Sequence, residues 1–295
     1  MAEKSATMYA LSAVFLWSSV ATAFKLSLAY VTPVQLLVIA SGVSLLVLGV
    51  LLWQQGKFAL LRALPKKYIL SMLFLGGINP FVYYLVLFQA YALLPAQEAQ
   101  ALNYTWALTL AYLSALVLKQ TLRWQEVLAG VVCYGGVLVV ATRGDVLGLS
   151  FGNPVGVALA LASTLLWALY WIYSTKWALD PLVGLFLNFA SGFVLVLGWA
   201  WMQGALVVMP WQGVVGAVYV GVFEMGITFF LWLQAMRLTR QTAKIANLIF
   251  LSPFLSLVFI GLVLGETILL STVVGLVLIV LGLSVQKMGK SKETA

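Results

Sequence analysis

Two polar residues lie deep inside apolar stretches of the sequence, where a polar group is costly to bury. Asn79 and Glu224 are 145 residues apart, and each sits in the middle of a long apolar run. Groups buried in this way can bind a polar solute, or they can hydrogen-bond neighbouring helices to each other. The sequence leaves both roles open and favours the first.

The residues four positions further along extend this pair. Tyr83 follows Asn79, and Thr228 follows Glu224, at the spacing that places two side chains on one face of a helix. Tyr84 falls off that face and is expected to pack elsewhere. We therefore expect these two pairs to contribute to one substrate-binding site.

Further polar and aromatic candidates lie in two other apolar runs. Asn103, Tyr104 and Trp106 follow a polar start at Glu98, and Asn247 occupies the corresponding end of a later run. Glu98 is equally consistent with the mouth of a cavity and with an exposed first helical turn, where the helix dipole favours a carboxylate. At least one of the three deeper residues is expected to face the site.

Three tryptophans lie inside apolar runs, away from the ends where interfacial tryptophans usually sit. They are Trp17, Trp167 and Trp171. Aromatic rings can stack on an apolar or aromatic solute and can hold a cation. Ordinary helix packing would also explain at least half of the 11 tryptophans, so both interpretations stay open.

Two prolines interrupt apolar runs, and each removes a helical hydrogen bond. Pro80 lies beside Gly76 and Gly77, which makes its helix the better candidate for a hinge, and Pro253 marks a second candidate. Simple kinks would account for both prolines equally well.

The composition excludes several kinds of chemistry. The chain has 295 residues, of which 63% are hydrophobic and 8% charged, with no histidine and one cysteine. A hydrolytic triad or a metal site therefore lacks its usual bases and ligands, so we expect no enzyme, metal or cofactor. The net charge of +8 comes from basic residues between the apolar runs without a nucleic-acid motif, so no nucleic-acid partner is expected.

The apolar runs are long enough to cross a bilayer, which takes about 20 residues in a helix. The sequence therefore predicts an all-α membrane protein with ten transmembrane helices. The predicted helices span residues 7–28, 33–53, 68–90, 96–118, 124–141, 153–176, 181–203, 211–234, 242–264 and 267–286. Of the 16 Lys and Arg residues, 14 fall on one side, and only Lys25 and Arg143 fall on the other. Because positive charge marks the cytoplasmic side, both termini are predicted to be cytoplasmic.

The chain also contains an internal repeat. Leu16-Trp17 matches Leu166-Trp167 at a shift of 150 residues, and Gln89-Ala90 matches Gln234-Ala235 at a shift of 145. The halves predicted from these matches are residues 1–146 and 147–295. Because five is an odd number of crossings, the second half is inserted upside down, which gives a 5+5 inverted-topology repeat around a central cavity. Inverted repeats are typical of carriers that work by alternating access.

These features resemble the EamA-type exporters of the drug/metabolite transporter superfamily. The resemblance covers nearly the whole chain and rests on Leu16-Trp17, Leu166-Trp167 and Leu264-Gly265-Glu266. The first half departs from it, because Lys119-Gln120-Thr121 stands where a Gly-Glu pair would be. The aromatic richness and Asn79-Pro80 resemble YddG-type amino-acid exporters in particular. The resemblance implies that helices 1, 3, 4, 6, 8 and 9 surround the cavity, with helices 5 and 10 outside it.

The sequence therefore predicts a monomeric carrier of the inner membrane that exports amino acids, aromatic or apolar ones above all, or related small metabolites. Its expected partners are the small-molecule substrate and the lipid bilayer. A cationic-drug exporter of the same fold is the first alternative, with Glu224 and Glu98 as the anionic groups. A passive channel is less favoured, since the sequence shows neither a ring of charges nor a filter loop.

Overall fold

The computed structural model describes residues 2–62, 64–117, 124–148, 151–174, 179–239, 245 and 247–290. Every regular element within these ranges is a helix. Lys119-Gln120-Thr121 lies outside the described residues. In chain order the α-helices are α1 (Ala2–Leu28), α2 (Pro33–Gln54), α3 (Phe58–Arg62), α4 (Lys66–Gly76), α5 (Tyr83–Leu93), α6 (Ala96–Asn103), α7 (Trp106–Val117), α8 (Trp124–Ala141), α9 (Pro154–Ser174), α10 (Pro181–Met202), α11 (Trp211–Phe223), α12 (Ile227–Leu238), α13 (Ser252–Phe259) and α14 (Leu270–Lys290).

Three shorter turns of helix complete the chain. A π-helical turn, Gly77–Val82, joins α4 to α5, and a 3-10 turn, Leu248–Leu251, precedes α13. A second π-helical turn, Ile260–Leu264, follows α13. The turns before and after α13 leave only 8 residues in that α-helix.

The helices have the lengths that a multi-pass membrane protein needs. Within the described ranges, seven helical segments are long and apolar enough to cross a membrane, with α4–α5 and α11–α12 each forming one segment. Leu248–Leu264 and Leu270–Val285 are shorter apolar helices, and residues 96–117 are divided between α6 and α7. The number of ten crossings stays a prediction.

Two helices, α1 and α9, have matching surroundings. α1 packs against α11, α12 and α13, whereas α9 packs against α5, α6 and α7. In the same way α2 packs against α11, and α10 packs against α4. At the repeat spacing, the contacts of α1 with α12 and α13 correspond to those of α9 with α5 and α7, and the α2–α11 contact corresponds to the α10–α4 contact.

Glycines bring α8 and α14 close together. A Cβ atom at Gly136 would lie 2.5 Å from the Gly275 carbonyl oxygen, and one at Gly275 would lie 2.7 Å from the Gly136 carbonyl oxygen. Only glycine permits this approach of two backbones. The two helices lie beside α6 and α7 rather than between α1 and α9.

Lys25, near the end of α1, and Lys57, just after α2, mark opposite ends of the molecule, because α2 is 22 residues and so about 33 Å long. We call these the Lys25 end and the Lys57 end. Exposed tryptophans lie near both of them, as expected for a bilayer protein with interfacial aromatic residues. They are Trp53 and Trp124 at the Lys57 end and Trp201 and Trp211 at the Lys25 end, each 69–75% exposed.

Asp180 fixes the start of α10. One of its carboxylate oxygens accepts the backbone N–H of Leu182 at 3.0 Å, and the other binds Lys57 Nζ at 2.7 Å. Burial alone would raise the pKa of Asp180, but the hydrogen bond from Lys57, the backbone N–H groups and the Lys57 charge outweigh it. The pKa of Asp180 therefore lies below its ordinary value.

Candidate functional site

Two helices are interrupted at equivalent positions of the predicted repeat. Asn79 has non-helical dihedral angles (φ −135°, ψ 117°) inside the Gly77–Val82 turn. Glu224 directly follows α11, and α12 begins only after Gly226, whose φ of −113° and ψ of −96° are also non-helical. Interrupted helices free backbone groups and turn side chains towards a common centre. Asn79 and Glu224 therefore both lie where a helix is broken.

A second pair of interruptions follows the same symmetry. Residues 104 and 105 separate α6 from α7, and the Leu248–Leu251 turn lies 145 residues further on. Tyr104 directly follows α6, and α6 contacts α13, which begins at Ser252. The helices beside the two breaks therefore contact each other.

Glu224 is hydrogen-bonded to a tyrosine of the other interrupted helix. The Tyr84 hydroxyl donates to Glu224 Oε1 at 3.2 Å, and Tyr84 is buried whereas Glu224 is half-buried. Tyr84 was expected to pack elsewhere, but the extended backbone of Asn79 changes the helical phase of the residues after it. A carboxylate joined to the opposite half and still partly accessible can bind a substrate cation or a proton.

Aromatic rings from α1, α5, α9 and α12 contact one another in a connected series. Trp17 contacts Phe229 and Trp232, each with ring centroids 5.6 Å apart, and Trp167 lies 6.3 Å from Phe229. Trp167 also stacks on Tyr83, with centroids 4.7 Å apart and planes 30° apart. Two of the predicted tryptophans and Tyr83 therefore belong to one continuous aromatic wall.

Trp171 lies at the edge of this wall. Its ring centroid is 5.9 Å from that of Trp167, in an edge-to-face arrangement. Its indole Nε1 is buried without a hydrogen-bond partner among the described residues. A buried N–H group of this kind is a free donor for a bound solute.

Several amide groups complete the centre. The Asn103 amide donates to Ser163 Oγ at 2.9 Å, and the Asn188 amide donates to the Tyr170 hydroxyl at 3.1 Å. Within the described ranges, the side-chain oxygens of Asn79 and Asn188 are buried and accept no hydrogen bond. These two oxygens are therefore available to accept hydrogen bonds from a bound solute. The Asn188 contribution was not predicted, although a lone asparagine in an apolar run was a signal for it.

The remaining residues predicted for the site are Thr228, Trp106 and Asn247. Thr228 is fully buried, and its hydroxyl donates to the Phe223 carbonyl oxygen, which the break after α11 leaves free. Trp106 is half-buried at the start of α7, and Asn247 is exposed just before the Leu248–Leu251 turn.

The four hinge candidates lie at the interruptions. Gly77 and Pro80 belong to the π-helical turn, while Pro253 lies in the first turn of α13. Gly76 ends α4 against α10, where a Cβ atom would lie 2.5 Å from the Asn188 carbonyl oxygen. Close helix packing alone therefore requires glycine at position 76, whether or not the turn also bends.

Glu98 lies away from this centre. Its carboxylate accepts a hydrogen bond and an ion pair from Arg143 Nε at 2.8 Å, and its side chain is 1% exposed. Arg143 follows α8 with a left-handed backbone, φ 53°. The pair ties the start of α6 to the end of α8 at the Lys25 end.

The turn between α5 and α6 is held from both sides. Lys25 Nζ donates to the carbonyl oxygens of Tyr91 and Leu94 at 2.8 and 2.7 Å. The Glu266 carboxylate accepts the Ala96 backbone N–H at 2.9 Å, and so caps the first turn of α6. Each charge lies at the helix end whose dipole favours it. We call these contacts the Lys25-end clamp.

Gln97 adds two further hydrogen bonds to the Lys25-end clamp. Its amide nitrogen donates to the Thr267 carbonyl oxygen at 3.0 Å, and its amide oxygen accepts the Leu269 N–H at 3.0 Å. Gln97 thus joins α6 to the segment between α13 and α14, which belongs to the other predicted half.

The interrupted helix that ends in α5 packs against several neighbours. At the Lys25 end, α5 contacts α1, α2, α6 and α9. At the Lys57 end, α12 packs against α1 but makes no comparable contact with α9 or α10 in the described part of the chain. A cavity of about 220 Å³ separates α12 from the ends of α2 and α10. Within the described residues, the Lys25 end is therefore closely packed around α5 and held by the Lys25-end clamp. Among the described residues, no three His, Cys, Asp or Glu side chains could hold a metal ion.

Helices interrupted near mid-membrane around acceptor groups and aromatic rings are the architecture of a transport protein. The model of the EamA-like transporter family matches residues 4–142 and 154–286, and the chain belongs to this family.

Individual relatives agree with this assignment. The uncharacterized transporter YvbV of Bacillus subtilis (strain 168) is 27% identical over 196 residues, which cover 63% of this chain and 61% of the relative. The uncharacterized transporter in the sor 3′ region of Acidianus ambivalens is 28% identical over 182 residues, 57% of this chain and 66% of the relative. The matches thus span less than two thirds of each relative. A solved crystal structure shares the fold over 99% of both chains, with a TM-score of 0.68 and 23% identity.

Proposed function

We propose that the protein exports amino acids, aromatic or apolar ones above all, or related small metabolites by alternating access. In this proposal ten transmembrane helices form two inverted halves, residues 1–146 and 147–295, around the centre at Glu224. The observation that carries the proposal is that Asn79 and Glu224, equivalent in the repeat, both lie at helix breaks. Many carriers build their binding site from such discontinuous helices near the middle of the bilayer.

The packing of the helices supports the inverted arrangement. α1 contacts the interrupted helices of the second half, and α9 contacts those of the first. The Thr239 hydroxyl, after α12, donates to Glu3 Oε1 at 2.7 Å, so α1 begins where α12 ends. The Gln35 amide, in the first turn of α2, donates to the Ala205 carbonyl oxygen at 3.2 Å, so α2 begins where α10 ends. Two halves inserted in opposite orientations would make these contacts.

The charge distribution supports an inner-membrane protein with its Lys57 end and both termini in the cytoplasm. Of the 16 basic residues, 14 belong to the Lys57 end under the predicted topology. The Lys25-end clamp then lies at the outer side of the membrane. A monomer suffices for the mechanism, because both halves lie in one chain.

The central groups fit a zwitterion. Glu224 and the amide oxygens of Asn79 and Asn188 can accept hydrogen bonds from an ammonium group, since no described cation forms an ion pair with Glu224. The break after Glu224 also creates the helix N-terminus of α12, whose dipole favours a carboxylate. The aromatic wall would receive an apolar or aromatic side chain.

The experiment is a transport assay in liposomes with three compounds that share a phenyl ring. Phenylalanine carries both charges, phenethylamine only the ammonium, and phenylpropionate only the carboxylate. We expect saturable movement of phenylalanine, with the two singly charged compounds transported poorly. Failure of every amino acid to move under any gradient would reject the proposal.

An exporter of organic cations is the second candidate. It is favoured by the half-buried Glu224 carboxylate, which is hydrogen-bonded to Tyr84, together with the rings of Trp17 and Trp167, because aromatic faces attract cations. This candidate predicts that phenethylamine moves while phenylalanine does not. It also predicts that Glu224→Gln abolishes the movement of the cation.

A further inference from the structure

The cavity at the Lys57 end lies apart from the central site. It is open to the surface, has a volume of about 220 Å³, and is bounded by the ends of α2 and α10 and by α12. Phe230 and Leu233 form its apolar floor, one helical turn apart on the same face of α12. The aromatic wall uses other residues of α12, Phe229 and Trp232, which face α1.

The polar rim of the cavity has an excess of positive charge and of donors. Lys57 is neutralised by Asp180 at 2.7 Å, and the other Asp180 oxygen is occupied by backbone N–H groups. Arg237 is exposed, and no described carboxylate lies within ion-pair distance of it. Gln55 and Gln234 add amide N–H donors. One uncompensated cation with neighbouring donors suits a singly charged phosphate.

The position of the rim favours a lipid over a soluble anion. Trp53, at the end of α2, is 72% exposed, and Phe58 of α3 is 41% exposed. Such aromatic residues lie at the level of the lipid headgroups. The apolar floor extends from this level into the membrane and gives a hydrocarbon chain a surface to pack on.

We propose that this cavity binds the headgroup of an anionic phospholipid of the phosphatidylglycerol class. Arg237 and the amides of Gln55 and Gln234 hold the phosphate, and an acyl chain lies over Phe230 and Leu233. A phosphatidylethanolamine headgroup binds more weakly, because Arg237 repels its ammonium and the Asp180 oxygens are already occupied. The site does not depend on which substrate the protein transports.

The test is native mass spectrometry of the purified full-length protein after incubation with equal amounts of phosphatidylglycerol and phosphatidylethanolamine. We expect the wild-type protein to retain more phosphatidylglycerol. Arg237→Gln should lower the ratio of the two bound lipids about fivefold, which corresponds to about 1 kcal/mol per basic residue at an anionic surface. Lys67→Gln, which removes an exposed cation at the same end outside the cavity, should leave the ratio unchanged.

A second variant and a soluble competitor complete the test. Gln234→Leu should lower the ratio as well, because it removes an amide donor and keeps a side chain of similar size. Glycerol 3-phosphate should not displace the lipid at millimolar concentration. Equal retention of both lipids by the wild type, or an unchanged ratio in Arg237→Gln, would overturn the proposal. Displacement by glycerol 3-phosphate would assign the cavity to soluble phosphates and overturn it too.

Discussion

Glu266 is placed to hold the Lys25 end closed, and Glu266→Gln tests this role with a minimal change. The glutamine keeps the size of the side chain and one acceptor oxygen, but it removes the negative charge at the start of α6. In the structure the Glu266 carboxylate accepts a hydrogen bond from the Ala96 N–H at 2.9 Å. The neighbouring Lys25 contacts on α5 stay intact in the variant.

The magnitude follows from the charge that the substitution removes from the N-terminus of α6. A charged group at a helix N-terminus contributes about 0.3–1 kcal/mol, and up to about 2 kcal/mol where it is partly buried, as Glu266 is. A loss of about 1–2 kcal/mol from the closed state raises the population of the state that is open at this end about 5–30-fold.

Labelling of a single cysteine measures this population. Cys133 is fully buried, so it contributes little background. An Asn103→Cys substitution places a thiol beside the centre. A membrane-impermeant maleimide added from the Lys25 side should react about 5–30-fold faster when Glu266→Gln is also present. The population shift sets this factor, because labelling through a rapid opening equilibrium follows the open fraction.

The matched control is Asp145→Asn, which removes a carboxylate at the same end of the molecule without touching α6. Asp145 is exposed and accepts only the local Gly148 N–H at 3.0 Å among the contacts described for it. The labelling rate should stay that of the parent protein. Equal rates for Glu266→Gln and Asp145→Asn would refute the role of the Lys25-end clamp.

Three further perturbations have defined outcomes. Tyr84→Phe removes the hydroxyl that donates to Glu224 at 3.2 Å, and transport kcat/KM should fall about tenfold to 100-fold, since hydrogen bonds to charged groups contribute about 1.5–3 kcal/mol. Asp180→Asn should lower the unfolding free energy at pH 7 by about 0.5–1 kcal/mol, because it breaks the Lys57 ion pair. The pKa of Asp180 is depressed in the folded state, so this difference is present at neutral pH and disappears as the pH falls below about 4. Gly192→Ala would put a methyl group 2.5 Å from a proline ring carbon of the interrupted helix, and thermal unfolding should show a loss of about 1–3 kcal/mol.

Each of these three substitutions has a control variant or an outcome that would contradict the expectation. Gly198→Ala adds the same methyl group on α10 where nothing lies within 4 Å, so a matching loss there would remove the packing argument. A constant difference between Asp180→Asn and the wild type from pH 7 to pH 3 would show that the ion pair does not stabilise the fold. For Tyr84, equal kcat/KM in wild type and variant would mean that the hydroxyl does not orient the carboxylate.

The internal repeat, and the positions that it makes equivalent, could be predicted from the sequence. The spacing of 145 residues identified Asn79 and Glu224 as equivalents, and both lie at helix breaks. Pro80 indicated the first break. The second break, from Glu224 to Gly226, has no proline, so it could not be predicted from the sequence.

The side-chain partners could not be predicted, because they depend on local backbone geometry and on distant residues. The helical spacing rule selected Tyr83, which belongs to the aromatic wall, but it set aside Tyr84, whose hydroxyl donates to Glu224. Spacing from Asn79 could not indicate Tyr84, because Asn79 is extended rather than helical. Glu98 pairs with Arg143, 45 residues away, through a left-handed turn after α8. No periodicity links two such positions. Lys25 likewise binds the carbonyl groups of Tyr91 and Leu94 at the end of α5, far along the chain.

The central claim is that one site beside Glu224 is exposed alternately to the two faces of the membrane. Counterflow in liposomes tests this most directly: labelled phenylalanine is added outside vesicles loaded with unlabelled phenylalanine. The account predicts saturable entry that the internal substrate accelerates, and loss of this exchange in Glu224→Gln protein that still folds. Entry that rises linearly with concentration and ignores the internal substrate would contradict it and indicate a passive channel.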